Sequence, residues 1–233
     1  MMDFTAPLCF DCVENTGTRR VQMVPSELVV AGWTARNAAE MEEHIRELEV
    51  IGVARPRATP AFYRVAASLL TTSSRIQVAG YHSSGEAEAV LLHLQDGIWV
   101  GIGSDQTDRK VETVGVTLSK QICAKPVGPT LWRLPEVADH WDRIMLRSFV
   151  EDQGKRRLYQ EGPLGLLRRP EDLLERYRQA AGVFSVGAAM FCGTVPVQGG
   201  VRPSARFEVE LEDPVLKRSL THSYQVEMLP FAD

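Results

Sequence analysis

Glu86 and Glu88 stand two apart in Gly85-Glu86-Ala87-Glu88-Ala89-Val90-Leu91-Leu92. In an extended strand, positions i and i+2 share one face about 6–7 Å apart. Both carboxylates can therefore address one cation, and oxygen ligands favour a hard ion: magnesium, manganese or calcium. The same spacing also suits two glutamates on the solvated face of an amphipathic strand. A second acidic element, Gly103-Ser104-Asp105-Gln106-Thr107-Asp108-Arg109, puts Asp105 just after a glycine-interrupted strand, where loops commonly carry function. Lys120 follows, then Lys125-Pro126-Val127-Gly128-Pro129 and, much later, the turn Cys192-Gly193-Thr194-Val195-Pro196. Upstream, His44 and Glu47 are three apart on a predicted helix, so they are neighbours on one face. A carboxylate beside an imidazole orients it and raises its basicity, as a general base near neutral pH requires. The pair equally reads as a solvated surface contact.

Other reactive side chains offer less. His82 precedes Glu86 by four residues, which in a strand sets the two far apart. His93 and His222 read as strand or loop residues, and His140, in Asp139-His140-Trp141-Asp142, as a structural hydrogen-bonding group. Ser83-Ser84-Gly85 lacks the Gly-x-Ser-x-Gly pattern of a nucleophile elbow. The glycines at 97, 101 and 103 do not form a dinucleotide-binding fingerprint. Cys9-x-x-Cys12 has no second CxxC to complete a zinc site, so all four cysteines read as reduced, packed thiols.

In this order the segments resemble the catalytic (C-terminal) domain of the fumarylacetoacetate hydrolase superfamily, over about residues 28 to 215. The matching motifs are Glu86-x-Glu88, then Asp105-x-Thr107-x-Arg109, and Lys120 before Pro126-x-Gly128-Pro129. Gln160-Glu161-Gly162 and Gly193-Thr194 follow, and Phe62-Tyr63-Arg64 lies upstream. Gly32-Trp33-Thr34-Ala35-Arg36 and Asp139-His140-Trp141-Asp142 are similar to a bacterial branch of unassigned function. The resemblance implies a metal site of Glu86, Glu88 and Asp105 holding magnesium or manganese, with calcium admissible. It implies catalytic roles for His44, Glu47 and Lys120, and substrate contacts from Arg109, Gln160, Gly193 and Thr194. The implied reaction is acylpyruvase-like: hydrolytic cleavage of a C–C bond in a small β-dioxo or 2-oxo acid through a metal-bound enolate. Decarboxylation, isomerisation or dehydration of a 2-oxo acid would use the same site. A ligand-binding protein without catalysis is the alternative of another class, against which retention of all three carboxylates with Lys120 argues. Family members also suggest a homodimer. The departures are Lys110 for the family's aspartate, a short Asp105-to-Lys120 loop, Arg64 for lysine, and Pro163-Leu164-Gly165-Leu166 for Thr-Ser-x-Met. They leave metal binding intact and the substrate open.

These residues must be positioned by strands. Segments 27–31, 75–81, 87–94, 97–103, 144–150 and 206–212 read as strands, with Asp96-Gly97 as a hairpin turn. Apolar spacing predicts helices at 35–50, a candidate lid capped by Thr34, and at 135–142 and 170–181, the last opened by Pro170. Strands in runs, rather than alternating with helices, predict a β-rich α+β fold, a mixed β-roll with a few peripheral helices. Residues 1–233 suit one catalytic domain. Acidic residues outnumber basic ones, 30 to 26, and the basic ones are dispersed, which argues against a nucleic-acid partner. No run reaches the length of a membrane span and no leader pattern opens the chain, so a cytoplasmic protein acting on a small molecule is expected.

Overall fold

Apolar alternation and turn chemistry set the strand boundaries in the computed structural model, which describes residues 5–14, 17–50, 52 and 55–232, without the side chains of Glu40, His44 and Leu48. The chain begins with β1 (Leu8–Glu14), β2 (Gly17–Met23) and β3 (Glu27–Gly32), then helix α1 (Ala38–Val50). Next come β4 (Ala61–Val65), β5 (Leu70–Thr71), β6 (Arg75–Ala79), β7 (Ser83–Ser84), β8 (Ala87–Leu94), β9 (Gly97–Ser104) and β10 (Thr107–Asp108). The short helices α2 (Arg109–Glu112) and α3 (Val116–Gln121) lead to β11 (Lys125–Pro126), β12 (Thr130–Arg133) and α4 (Leu134–Val137). The hairpin β13 (Met145–Asp152) and β14 (Lys155–Pro163), helix α5 (Pro170–Ala181), β15 (Ala188–Phe191), β16 (Arg206–Asp213) and β17 (Arg218–Leu229) complete the described chain.

Eight strands form one mixed sheet in the order β2-β1-β12-β9-β8-β15-β3-β4, and five form a second, β14-β13-β16-β17-β6. The main core lies between them, with Leu91, Val100 and Ile102 of the first sheet joining Leu146, Val209, Leu211 and Leu220 of the second. Val90 and Leu92 point the other way, into a second cluster with Leu28, Val30, Leu131 and Phe191. Strand β8 is thus buried on both faces, which explains its nearly continuous apolar run. Each such leucine contributes about 1.5–3 kcal/mol of burial. The β-rich α+β roll expected from the strand pattern is the fold observed.

Three expectations need correction. Helix α1 starts at Ala38 rather than 35, and Asn37 caps it: its side-chain Oδ1 accepts the Ala39 amide at 3.0 Å. Thr34 is instead buried, its carbonyl accepting the Arg168 amide at 2.8 Å. The helix expected at 135–142 breaks into α4 and a 3₁₀ segment, Ala138–Arg143, in which His140 leaves helical geometry (φ −119°, ψ 18°). That departure accompanies a bond from His140 Nε2 to the buried Asp213 carboxylate at 3.0 Å. Strand β6 ends at Ala79, short of 81, because Gly80 turns the chain with φ +66°.

Candidate metal centre

Glu88 lies on β8 and Glu86 just before it, so an extended backbone rather than a paired strand sets their two-residue spacing. The β8/β9 hairpin pairs Ala87 with Ser104 and Glu88 with Gly103. One step further, the Asp105 amide donates to the Glu86 carbonyl at 2.9 Å, which brings Asp105 opposite Glu86. One carboxylate oxygen from each of Glu86, Glu88 and Asp105 lies within 4.8 Å of the others. The approach depends on Gly85, where a Cβ would stand 2.4 Å from Tyr224 Oη and 2.5 Å from Ser104 Oγ. Those hydroxyls belong to a buried network: Tyr224 Oη donates to Ser104 Oγ or Gln106 Oε1 (2.7 and 2.9 Å), and Gln106 Nε2 donates to Ser83 Oγ at 2.9 Å.

Three cations face the carboxylates. Lys120, buried on α3, contacts Asp105 Oδ2 directly and lies 5.8 Å from the centre of the Tyr63 ring. Lys125, fully buried, donates to the carbonyls of Gln106 and Lys120 (2.6 Å each) and Cys123 (2.9 Å). With its three protons so directed, Lys125 lies 3.3 Å from Asp105 Oδ1 without hydrogen-bonding to it, and that buried oxygen accepts no hydrogen bond. Arg109 Nη2 lies 3.1 Å from Glu86 Oε1, at an angle that makes the contact an ion pair and not a hydrogen bond. Its Nε donates to Ser84 Oγ at 2.8 Å and its Nη1 to Glu112 at 3.1 Å.

Burial would raise the Asp105 pKa, yet Lys120 and Lys125 outweigh it and hold the carboxyl below its usual range. Burial opposes the charge on Lys120, but Asp105 and Glu86 prevail, so its ammonium persists above the ordinary lysine value. Glu88 has no ion-pair partner among the described residues. Burial first, and Asp105 second, push it well above the usual carboxylate range, against the charge of Lys120 and the Gly193 amide that donates to Oε2 at 2.6 Å. A divalent cation would relieve this conflict: an unbonded carboxylate oxygen on Asp105, a buried glutamate facing another carboxylate, and Glu86 beside them form an all-oxygen donor set suited to a hard ion. The residues fit magnesium or manganese.

The site opens into a cleft of about 700 Å³ lined by Glu86, Glu88, Arg109, Lys120, Gly193 and Thr194 among others. Glu47 reaches it from α1, whereas the His44 side chain lies outside the described residues. Gln160 does not line the cleft. It is fully buried, its Oε1 accepting the Ala87 amide (2.9 Å) and Ser148 hydroxyl (2.8 Å), its Nε2 donating to Thr194 Oγ1 and the Val195 carbonyl (2.7 Å each). The Thr194 hydroxyl in turn donates to the Ala87 carbonyl at 2.6 Å. The Gly193 amide is committed to Glu88, and a Cβ at Gly193 would stand 1.8 Å from Thr34 Oγ1. With their polar groups so used, Gln160 and the Gly193 amide brace the Glu88 end of the site. His82 is exposed and its carbonyl accepts the Arg109 amide at 2.9 Å. Lys125 escaped the sequence reading; its signal was a lysine inside the apolar run Ile122-Cys123-Ala124-Lys125-Pro126-Val127.

The fold is shared with fumarylacetoacetate hydrolase-type proteins of known structure. A candidate fumarylacetoacetate isomerase/hydrolase from Oleispira antarctica is 18% identical, with a TM-score of 0.67 over 94% of this chain and 99% of that one. A yeast fumarylacetoacetate hydrolase family protein is 17% identical (TM-score 0.62, 89% of this chain and 95% of that one). A 2-keto-3-deoxy-D-arabinonate dehydratase complexed with magnesium and 2,5-dioxopentanoate is 16% identical (TM-score 0.63, 94% and 79%). No functionally curated protein matches the sequence. Residues 31–224, carrying every carboxylate and cation of the centre, match the family model described as protein of unknown function (DUF2848), and the chain belongs to that family.

Proposed function

We propose that the protein is a divalent-metal-dependent enzyme acting on a small 2-oxo or β-dioxo acid, with hydrolytic C–C cleavage as its reaction. The observation that carries the reading is the convergence of Glu86, Glu88 and Asp105, the two glutamates lining an open cleft and Asp105 buried beside them against the Lys120 ammonium. The fold relatives named for fumarylacetoacetate hydrolysis and for a magnesium-complexed 2-oxo acid dehydratase support it. Glu86, Glu88 and Asp105 hold the ion, which when bound supplies Lewis acidity towards the substrate's 2-oxo and carboxylate oxygens.

The chain's own residues do the rest. In the hydrolytic reaction the oxygen of water adds to the distal carbonyl carbon, and its proton passes to a base, the role that the family resemblance gives to His44 with Glu47. The C–C bond then breaks as the distal carbonyl re-forms in a carboxylic acid, its electron pair stays with the carbon next to the 2-oxo group as an enolate, and that carbon takes up the proton held by the base, which is thereby restored. Lys120, kept protonated by Asp105, places a fixed positive charge beside the developing enolate in a site of low dielectric. Arg109 restrains Glu86, while Gln160 and Gly193 restrain the Glu88 end.

Calorimetric titration with magnesium, followed by a turnover assay on acylpyruvates and sugar-derived 2-oxo acids before and after chelation, tests the reading. One ion per chain is expected to bind, with turnover lost on chelation and restored by magnesium or manganese. Glu88→Gln and Asp105→Asn are expected to bind no ion. Undiminished turnover in a chelated sample would refute metal dependence, and turnover of only the sugar acids would replace hydrolysis by dehydration.

A further inference from the structure

The cleft changes character away from the carboxylates. Met41, Val116, Leu166, Val197 and Val201 line it, and Leu166 and Val201, 47% and 49% exposed, present large apolar side chains to its open space. The ionic groups among this outer lining are acidic: Glu43 and Glu47 from α1 and Glu112 from α2. The lining's two cations, Arg109 and Lys120, are spent on Glu86, Glu112 and Asp105. Among its hydroxyls, Thr113 donates to the Lys110 carbonyl at 2.9 Å, Thr194 donates to the Ala87 carbonyl, and Tyr63 accepts from Trp33 Nε1 at 3.0 Å.

Among the described residues, a substrate tail in that space meets methyl and methylene groups, three carboxylates and no uncommitted cation. An apolar tail gains by leaving water. A second carboxylate would be repelled. Resting on the function proposed above, we infer that the enzyme's substrates are 2-oxo acids with a single carboxylate and an uncharged, apolar tail of several carbons, in preference to dicarboxylic acids.

Equilibrium binding separates this inference from the reading it rests on. With magnesium present, oxalate and N-alkyl oxamates, unreactive mimics of the 2-oxo acid head, are titrated into the protein. The oxamates carry methyl to hexyl tails, and two further probes keep the hexyl length but end in a carboxylate or bear hydroxyls. Affinity is expected to rise about fourfold per methylene until the cleft is filled, as the transfer of a CH2 group from water dictates. The carboxylate-ended probe should bind at least roughly tenfold more weakly than the hexyl one. Leu166→Asn, a change at an exposed position, should flatten the tail dependence and leave oxalate unaffected. Glu43→Arg should recover binding of the carboxylate-ended probe. Oxalate binding with a flat series, or with the charged or hydroxylated tail preferred, rejects the apolar-tail inference alone. Failure of oxalate and of every oxamate rejects the 2-oxo acid reading and the inference with it.

Discussion

Asp105 is flanked by two buried lysines that differ in where their protons point. Lys120 lines the cleft and can address a substrate; Lys125 turns its three protons to the carbonyls of Gln106, Lys120 and Cys123. In the proposed reaction the first stabilises charge, whereas the second staples the Asp105 loop to the end of α3. Lys120→Met is expected to lower turnover by roughly 10²–10³-fold, the effect of losing one preorganised donor. Magnesium and oxalate binding should survive in that variant, and near-normal turnover would reduce Lys120 to a packing residue. Lys125→Met leaves three carbonyls without a donor and Asp105 with one cation fewer. Breaking such a buried arrangement costs about 3–5 kcal/mol, read as a lower urea midpoint at unchanged m-value; a loss under about 1 kcal/mol would mean that water replaces the ammonium. The two differed in legibility as well. Lys120 stands in the polar string Ser119-Lys120-Gln121 and was visible only through the family pattern, whereas the burial of Lys125 was written in its apolar flanks.

Among the elements, long periodic segments were legible and short or edge segments were not. The β8/β9 hairpin matches its Asp96-Gly97 signal, and α5 its Pro170 start, because those signals are local. Strand β14 escaped notice behind Lys155-Arg156-Arg157, whose side chains are exposed at the edge of the second sheet, and β17 behind a polar alternation that only its pairing with β16 and β6 explains. The α4 break was illegible because its cause is remote: His140 is drawn out of helical geometry toward Asp213 at the end of β16. That contact carries a pH consequence. Burial would raise the Asp213 pKa, but the bond to His140 and the amides of Leu216 and Val215 outweigh it, so the carboxyl titrates below its ordinary value of 3.8. A depressed folded-state value means stabilisation that is complete above the unfolded value and is lost as pH falls through the folded one. Urea unfolding of Asp213→Asn should therefore show lower stability than the parent at neutral pH, with the gap closing below about pH 4. A gap that stays constant to pH 3 would show that the residue acts by shape alone. Helix α1 has its own test: His44→Ala and Glu47→Gln should each lose hydrolysis by about 10² or more, as for a missing general base, while still binding magnesium and oxalate. Hydrolysis persisting in both would place water activation elsewhere.

At the scale of the molecule, two sheets enclose a core in which most buried groups are apolar or paired, and the chief exception is the carboxylate cluster where β8 and β9 meet. Burying Glu88 beside Asp105 costs stability that three nearby cations only partly offset, since Lys120 and Lys125 serve Asp105 and Arg109 serves Glu86. The ion-free protein should thus be limited by its own active centre, and metal binding should return as folding stability whatever the substrate turns out to be. For an ion present at a hundred times its Kd the linkage is about 2.7 kcal/mol. In a chain of this size that raises Tm by about 5–10 °C. Glu88→Gln removes a buried group whose ionisation its surroundings oppose, while its amide oxygen can still accept from Gly193, so this variant should melt no lower than the ion-free parent and gain nothing from magnesium. Scanning calorimetry of both proteins, each with chelator and with magnesium, makes the comparison. Equal upward shifts in parent and variant would show that the cation binds outside the cluster, and a variant that melts well below the ion-free parent would show that Glu88 is held by its surroundings at no cost.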